Sequence, residues 1–467
     1  MRRFKQTSIP ATLSVTVVLA MSAFAIFPAC TSQMSHSPHV KASLVEQDYT
    51  AALKRIERIN KNTSRLLYLY EKGLILHYDN DYEASNSAFE KAEELYDDLY
   101  TKSLGREMGS LMMSDNVTKY RGERFEAAMI NYYKILNYLY LEEPQGALVE
   151  CRRLNHRLET FSDDVDSVYV NDPFLQYLTG MVYLAAGELN DADVSLRAAL
   201  DAYEKLKDRY EVEVPPSIYC DLAECAEARG DLEAASHHRD AAESCGGHDD
   251  KEGSGTLNLF IEGGYVSYKV ERNAVIPIYK DEFVDDLDKH NLAEGLAHRY
   301  GEPIEANRGL HYLLRIAVPE MVSLPEPFMD AGVNVYVDGR ARGARAPVVE
   351  NLDVLAHDAF GARQGSIILK TVFRALTKYL ASVTARKKDV IAGWVVNAFG
   401  VSTEAADTRS WATLPQTIRM ARLVLPEGVY DLRLTLYGRF LEEDESFTIE
   451  DVEVVAGRPT FLNLRVY

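Results

Sequence analysis

Residues 180–199, GMVYLAAGELNDADVSLRAA, decide the fold of the N-terminal half of this 467-residue chain. Small and large side chains recur here at fixed offsets. Small residues let two helices of one unit approach closely, and large residues fill the space between units. The residues at these offsets are Gly180, Tyr183, Gly187, Ala192, Leu196 and Ala199. The segment is therefore predicted to form a pair of packed helices.

The same spacing recurs elsewhere between residues 46 and 245. Residues 66–97 match it at Gly73, Leu76, Phe89 and Ala92, and residues 216–244 match it at Ala223, Gly230, Ala235 and Ala242. A weaker copy over 128–158 contains Tyr138, Ala147, Cys151 and Leu154. Four units therefore fill this range, and an apolar helix over 47–60 is expected to cap them.

These copies resemble tetratricopeptide repeats. The alternative is a helical bundle without a repeated unit. Tetratricopeptide arrays expose a concave face lined by the first helix of each pair, which suits the binding of a peptide or protein segment. Carboxylates dominate residues 71–100. Two interpretations stay open for them: an acidic groove for a basic partner, or an ordinary solvated face.

The composition bounds the class of protein. Hydrophobic residues make up 47% of the chain, enough for a packed core, and the length suggests about three structural units. The net charge of −20 argues against binding nucleic acid along its phosphates.

Residues 1–30 have the form of a bacterial export signal. Arg2, Arg3 and Lys5 precede an uncharged apolar run over 11–27, and Ala29-Cys30 follows. This resembles a lipoprotein signal, in which Cys30 becomes the lipidated first residue after removal of residues 1–29. Cleavage after residues 23–25 or an uncleaved signal are the alternatives, and all three imply export. Residues 30–45 are then a flexible tether, and Ser32 resembles the pattern for sorting to the outer membrane, facing the periplasm.

The cysteines suggest one disulfide bond, because an exported protein folds where such bonds persist. Cys220 begins the first helix of the last repeat and Cys245 ends the second, so antiparallel packing would bring them together. Cys225 points about 140° away from Cys220 on a helix. Cys151 is interpreted as a small buried hydrophobic residue.

A glycine-rich linker over 246–255 separates the repeats from an α+β domain at 256–467. Alternating runs predict strands near 257–261, 275–278, 312–318, 333–337, 418–423 and 429–437. The last strands, 452–455 and 461–466, are predicted to complete a meander. Together they resemble the small β-sandwich modules of surface proteins. The expected fold class is therefore α+β and multidomain, with an all-α repeat array first.

Two apolar helices are predicted between residues 350 and 400. Lys370, Arg374 and Lys378 form a stripe opposite the apolar face, and residues 361–400 hold seven basic residues against one acidic residue. Packing on the neighbouring sheet is the favoured interpretation. The alternative is a basic amphipathic helix lying on an anionic surface.

One stretch gives a wider resemblance. The repeats, the strand near 255–264 and the run ADTRSWATLP over 406–415 resemble a family of bacterial envelope lipoproteins without an assigned role. Its members look like companions of lipoproteins that activate peptidoglycan synthases, and the family brings no catalytic residues. The signature residues are Asp407, Thr408, Arg409, Ser410 and Trp411. Arg409 is expected to pair with a carboxylate, and Trp411 is expected to fill a gap in the core.

The chain contains no nucleophile elbow, phosphate loop or paired metal-ligand motif. The sequence thus predicts a membrane-anchored, non-catalytic scaffold that binds an envelope protein through its repeats, with no cofactor and no metal. A regulator of cell-wall or exopolysaccharide synthesis is a narrower alternative. A hydrolase in the C-terminal region is a further one, and it would require an open polar cavity at Arg409.

Overall fold

The chain has an α+β fold in which a helical N-terminal region precedes the strands. A computed structural model describes residues 37–59, 61–103, 119–162, 171–242, 253–279, 294, 296–298, 300, 310–388, 405–438 and 445–467. The predicted signal peptide, Cys30, Cys245, most of the linker and the second apolar helix near 391–399 lie outside these residues.

The helices of the N-terminal region are 8–22 residues long and follow one another closely. They are α1 (Ser37–Val45), α2 (Tyr49–Ile56), α3 (Arg65–Tyr78), α4 (Tyr82–Ser103), α5 (Arg124–Tyr140), α6 (Pro144–Ser162), α7 (Pro173–Ala185), α8 (Leu189–Tyr210), α9 (Ser217–Ala228) and α10 (Leu232–Ala241). From α3 onward, consecutive helices pack in pairs: α3 with α4, α5 with α6, α7 with α8, and α9 with α10.

Every one of these four pairs is joined by a link of the same geometry. The middle residue of each three-residue link has a positive φ: 61° at Asn80, 58° at Glu142, 76° at Gly187 and 82° at Gly230. This left-handed conformation ends a helix, and glycine adopts it without steric cost. The glycines predicted at 187 and 230 therefore mark the ends of first helices.

Within the pairs, small residues touch large ones at the predicted positions. A Cβ added to Gly73 would lie 2.5 Å from the Phe89 ring, and one added to Gly180 would lie 2.7 Å from Leu196. Four more predicted packing residues are buried as well: Ala92, Tyr183, Ala192 and Ala199. Gly187 and Gly230 were also predicted to pack, and this is wrong, because both are exposed and nothing lies within 4 Å of a Cβ added there.

The strands form two larger sheets and a ribbon. They are β1 (Ser254–Gly263), β2 (Tyr268–Tyr279), β3 (Leu310–Val322), β4 (Asp330–Val337), β5 (Arg340–Arg345), β6 (Val348–Asn351), β7 (Thr417–Pro426), β8 (Gly428–Tyr437), β9 (Glu445–Val454) and β10 (Pro459–Val466). The central sheet has the order β10-β1-β7-β6, the outer sheet has the order β5-β4-β8-β9, and β2 pairs with β3 as the ribbon.

The central sheet lies between two cores. Leu257, Leu259 and Ile261 of β1 pack with residues of the outer sheet. The alternate residue Phe260 packs in the core of the N-terminal helices, since successive side chains of a strand point to opposite faces. The helices and both sheets are therefore layers of one continuous structure.

A long helix, α11 (Leu352–Lys388), connects the main body with the ribbon. With a rise of about 1.5 Å per residue, this helix is about 55 Å long. Leu352 and Leu355 belong to the helical core, whereas Val372, Leu376 and Tyr379 pack on the ribbon. The predicted apolar face of this helix is thus covered by strands. Of the two interpretations, packing on neighbouring strands agrees with the structure.

Three sequence predictions are wrong in detail. Residues 37–45 are a helix with Val40 and Leu44 buried, so the flexible tether cannot extend to residue 45. Residues 254 and 255 belong to β1 and pair with β7, so they are not part of a linker. The C-terminal strands do not form a meander, because β9 pairs with β8 in the outer sheet and β10 runs parallel to β1 in the central sheet.

Cys220 is disulfide-bonded. Cys151 and Cys225 are free and buried. Burial raises the pKa of both thiols, which suits their role as small core residues. The partner of Cys220 lies outside the described residues, and its pairing with Cys245 stays a prediction. Among the helices of the described part, none is long and apolar enough to span a bilayer.

The glycine contacts give a test of helix pairing. Changing Gly73→Ala should lower the free energy of unfolding by about 1–3 kcal/mol, because the new methyl group overlaps the buried Phe89 ring. Gly361→Ala in α11 is the matched control, since nothing lies within 4 Å of an added Cβ there. Alanine should stabilise this helix by about 0.5–1 kcal/mol. Urea denaturation measures both. A stability gain in both variants would contradict the close approach at Gly73.

Candidate functional site

The face formed by the first helix of each pair is the site that the sequence predicted for a partner. In the structure this face is covered by the protein's own central sheet. Tyr132 of α5 and Phe174 of α7 meet Phe260 of β1 at ring-centroid distances of 6.2 and 5.5 Å. Arg422 of β7 forms an ion pair of 2.6 Å with Asp221 of α9. The expectation of an open binding face on these helices is therefore wrong.

The centre of this interface is a fully buried carboxylate, Glu262 of β1. Tyr78 donates a hydrogen bond to it at 2.6 Å, Tyr132 at 2.9 Å and Asn463 of β10 at 2.8 Å. A buried carboxylate is tolerated only when such donors replace water. Glu262 thus ties α3 and α5 to two adjacent strands.

His77 extends the same network. Its Nδ1 lies 2.6 Å from the Asn137 side-chain oxygen, and its Nε2 lies 2.9 Å from the Asn463 amide nitrogen. Burial lowers the pKa of His77, which favours the neutral ring. A neutral ring that donates through Nδ1 and accepts through Nε2 satisfies both neighbours. The group is fixed and shielded, as a structural histidine is.

The signature segment before β7 fastens the sheet to the start of the array. Two nitrogens of Arg409 contact the Asp407 carboxylate at 2.7 Å, and a third donates to the backbone oxygen of Thr63 at 2.9 Å. Asp407 is the carboxylate partner that the sequence led us to expect. Thr408 and Ser410 are half-buried beside them.

Trp411 and Thr413 continue this attachment. The Trp411 ring is fully buried and stacks on Tyr70 of α3 with 4.6 Å between centroids. Its backbone nitrogen donates to Glu126 of α5 at 2.8 Å. The hydroxyl of Thr413 donates to the buried carboxylate of Glu71. Thr63, Tyr70, Glu71 and Glu126 therefore connect this segment to α3, α5 and the turn before α3.

These contacts engage all three nitrogens of the Arg409 guanidinium group. Its side chain is 2% exposed and is occupied by Asp407 and Thr63, so the open cavity that a hydrolase would require is not formed there. Glu262 and Glu126 were not singled out in the sequence, and Glu71 was counted only among the carboxylates of residues 71–100, although it is buried. The residues around them in the sequence give no clear sign of burial; Glu126, for example, lies two positions after Arg124.

An open groove lies on the opposite, outer layer of the array, between α4 and α6. It encloses about 340 Å³. Its lining residues are Asn86, Ser87, Glu90, Tyr138, Gly146, Val149, Glu150 and Arg153. Beneath it, Lys134 of α5 is buried and contacts Glu90 and Glu93 at 2.6 Å and Glu150 at 3.0 Å.

The groove has charges of both signs, with Lys134 and Arg153 facing three carboxylates, and these groups differ in exposure. Arg153 is about half exposed and contacts Glu90 at 2.9 Å and Glu150 at 3.2 Å. Burial raises the pKa of Glu150, whereas hydrogen bonds from Lys134 and Arg153 outweigh burial and lower the pKa of Glu90, as nearby cations do for a carboxylate. The groove therefore offers both charge signs and amide and tyrosine hydrogen-bonding groups to a polar segment.

A hydroxyl cluster near the start of α11 was also not foreseen. Ser323 lies 2.9 Å from the Nε2 atom of His357, and Ser267 lies 3.1 Å from it. The Asp353 carboxylate accepts from both hydroxyls, at 2.5 Å from Ser267 and 3.1 Å from Ser323. In a catalytic triad the carboxylate orients the histidine, whereas here it holds the serines. The cluster anchors α11 to the segments after β1 and β3.

Within the described ranges, no group of three histidine, cysteine, aspartate or glutamate side chains is placed to hold a metal ion.

Comparisons with known proteins add little. No family model and no curated protein matches the chain. Among solved structures, the crystal structure of BtubC (BKLC) from P. vanneervenii matches with a TM-score of 0.30 and 16% identity, covering 44% of this chain and 75% of that one.

The buried Glu71 generates a pH prediction. Burial raises the pKa of Glu71 to about 7, so the folded protein retains a proton that the unfolded chain releases at lower pH. Stability from this group is therefore lost as pH rises from about 4.5 to about 7, by the linkage of proton binding to folding. Replacing it by Glu71→Gln should remove a penalty of about 3 kcal/mol at pH 8 and change little at pH 4.

Denaturation at both pH values measures this difference. Glu94→Gln, at an exposed position of the neighbouring helix α4, is the control and should keep the pH dependence of the wild type. An equal effect of Glu71→Gln at pH 4 and pH 8 would contradict the buried, protonated carboxyl group.

Proposed function

We propose that this protein is a non-catalytic scaffold of the bacterial cell envelope, with a tetratricopeptide-type helical array that binds a protein partner on its outer layer. The observation that carries the proposal is the division of the array's two faces. The first helices are covered by the central sheet, and the groove between the second helices α4 and α6 is open. A partner segment with polar and charged side chains fits the charges of this groove.

The repeat assignment is supported by the regularity of the helix pairs. Four links share a positive-φ middle residue, and two pairs bring a glycine against a large side chain at the same offset of 16 positions. Such repetition is what stacked repeats require, because each unit packs only on its neighbours. An irregular bundle would have no reason to repeat these contacts.

We place the protein at the periplasmic side of the outer membrane, anchored by a lipid on Cys30. The support is Ser32 and the form of the segment 1–30, which has the charged and apolar regions of an export signal. Helix α1 begins at Ser37, shortly after Cys30, so the folded body would lie close to the bilayer.

Photo-crosslinking in intact cells tests the partner surface. A photoreactive residue at Val149, which is 44% exposed in the groove, should form a covalent adduct with a protein partner. Val194 is 67% exposed on the neighbouring outer helix α8 but does not line the groove, so a probe there is the control. Arg153→Glu should reduce the Val149 adduct about tenfold, by removing a charge that the partner contacts.

The control for that charge is Arg197→Glu on α8, also about half exposed. Equal adducts from the two probes, or an adduct insensitive to Arg153→Glu, would refute the groove as the partner site.

Cell fractionation tests the anchor. The Cys30→Ser variant should move from the membrane pellet to the supernatant when membranes are washed in high salt, because no acyl chain holds it. Thr31→Ala should stay in the pellet. Retention of Cys30→Ser at the wild-type level would exclude the lipid anchor.

A further inference from the structure

One surface of the protein has a charge opposite to that of the whole chain. Residues 54–65, from α2 to the start of α3, contain five basic residues and one acidic residue, in a chain with a net charge of −20. The acidic residue, Glu57, is already engaged by Lys61. Because Lys61 neutralises Glu57, the other four basic residues of this segment carry an excess of positive charge.

The basic side chains of this segment are available. Lys54 and Arg58 are exposed, Arg55 is half-buried, and none of the three has an ion pair with any carboxylate in the described parts of the chain. Arg65 is also exposed and lies over the ring of Tyr68. Unpaired cations keep their full field toward solvent, unlike those of the groove between α4 and α6.

A second segment adds to this surface. The backbone nitrogen of Tyr120 donates to the backbone oxygen of Thr63 at 2.7 Å, which fixes residues 119–121 beside the turn before α3. Lys119 and Arg121 flank Tyr120, and both are exposed. We call residues 54–65 and 119–121 the cationic surface.

The position of the N-terminal helix α1 indicates that the cationic surface would lie close to the membrane that holds the anchor. Helix α1 packs on α2, with Val40 and Leu44 buried, while Val45 at its end is 55% exposed. The stretch of chain from Cys30 to the start of α1 can span at most about 25 Å. An acyl group on Cys30 would therefore hold α1 and α2 close to the lipid headgroups.

We propose that the cationic surface docks on the anionic phospholipid headgroups of the membrane that holds the anchor. The inference rests on the proposed function only for its lipidated N-terminus. Basic side chains near an anionic bilayer each strengthen binding about fivefold. A basic patch next to an acyl chain gives two membrane signals in place of one and orients the body on the bilayer.

Vesicle cosedimentation of the full mature chain carrying Cys30→Ser tests this directly, because no acyl group contributes. Binding to vesicles of equal parts phosphatidylglycerol and phosphatidylcholine is expected at about 50 mM salt and should be lost at about 500 mM. Binding to phosphatidylcholine alone is not expected. The triple variant Lys54→Gln, Arg55→Gln, Arg58→Gln should bind about a hundredfold more weakly.

The matched control removes the same charge from three exposed arginines, two in the sheets and one just before β10. The residues Arg340, Arg433 and Arg458 lie outside the cationic surface. The variant Arg340→Gln, Arg433→Gln, Arg458→Gln should therefore keep its affinity within about twofold. Circular dichroism of both variants checks that each is folded.

The proposal would be overturned by equal losses in the two triple variants, by equal binding to both vesicle types, or by no binding at low salt. If the protein bound soluble polyglutamate but did not bind the vesicles, the proposal would also be wrong, and the cationic surface would instead bind an acidic protein. Because the assay uses neither the acyl chain nor the groove, its outcome is independent of the fractionation and crosslinking experiments.

Discussion

Strand β1 is buried on both faces, and the rest of the structure depends on this constraint. One face of β1 packs in the sandwich core through Leu257, Leu259 and Ile261, and the other places Phe260 and Glu262 against the helices. Strand β1 therefore contributes side chains both to the core of the N-terminal helices and to the core between the two sheets. The two halves of the chain are therefore coupled in stability, although their sequences look like separate modules.

The polar character of this interface makes the coupling specific. Glu262, Asn463 and Arg422 each find partners on helices. Removal of one partner would leave a buried charge or amide unsatisfied. An apolar interface could slide by one position, whereas this network accepts one register only. The signature segment, with Arg409 and Trp411, adds a second fixed point away from β1.

The sequence predicted the helix pairs well because their packing is local. Gly73 and Phe89, or Gly180 and Leu196, are 16 positions apart in the chain, and the contact is visible as spacing. The coverage of the helical face could not be predicted in the same way, because Glu262 and its partner Tyr132 are distant in the chain. Polar and apolar residues alternate in β1 and β10, and a strand with one solvent-exposed face shows the same alternation. The sequence therefore does not reveal that both faces are covered. The sequence predicted strands in the C-terminal region, but the parallel pairing of β10 with β1 requires the chain to cross from one sheet to the other, which no local pattern predicts.

The last strand has a consequence for biosynthesis. Asn463 of β10 closes the network at Tyr140 across 323 residues of chain. A ribosome that adds about 5–20 residues per second completes this distance in roughly 15–65 seconds. Phe260 of β1 emerges earlier and can already cover the aromatic side chains of α5 and α7, whereas the hydrogen bond between Asn463 and Tyr140 must wait for β10. The time that the nascent chain spends unfinished is thus set by the strand that emerges last.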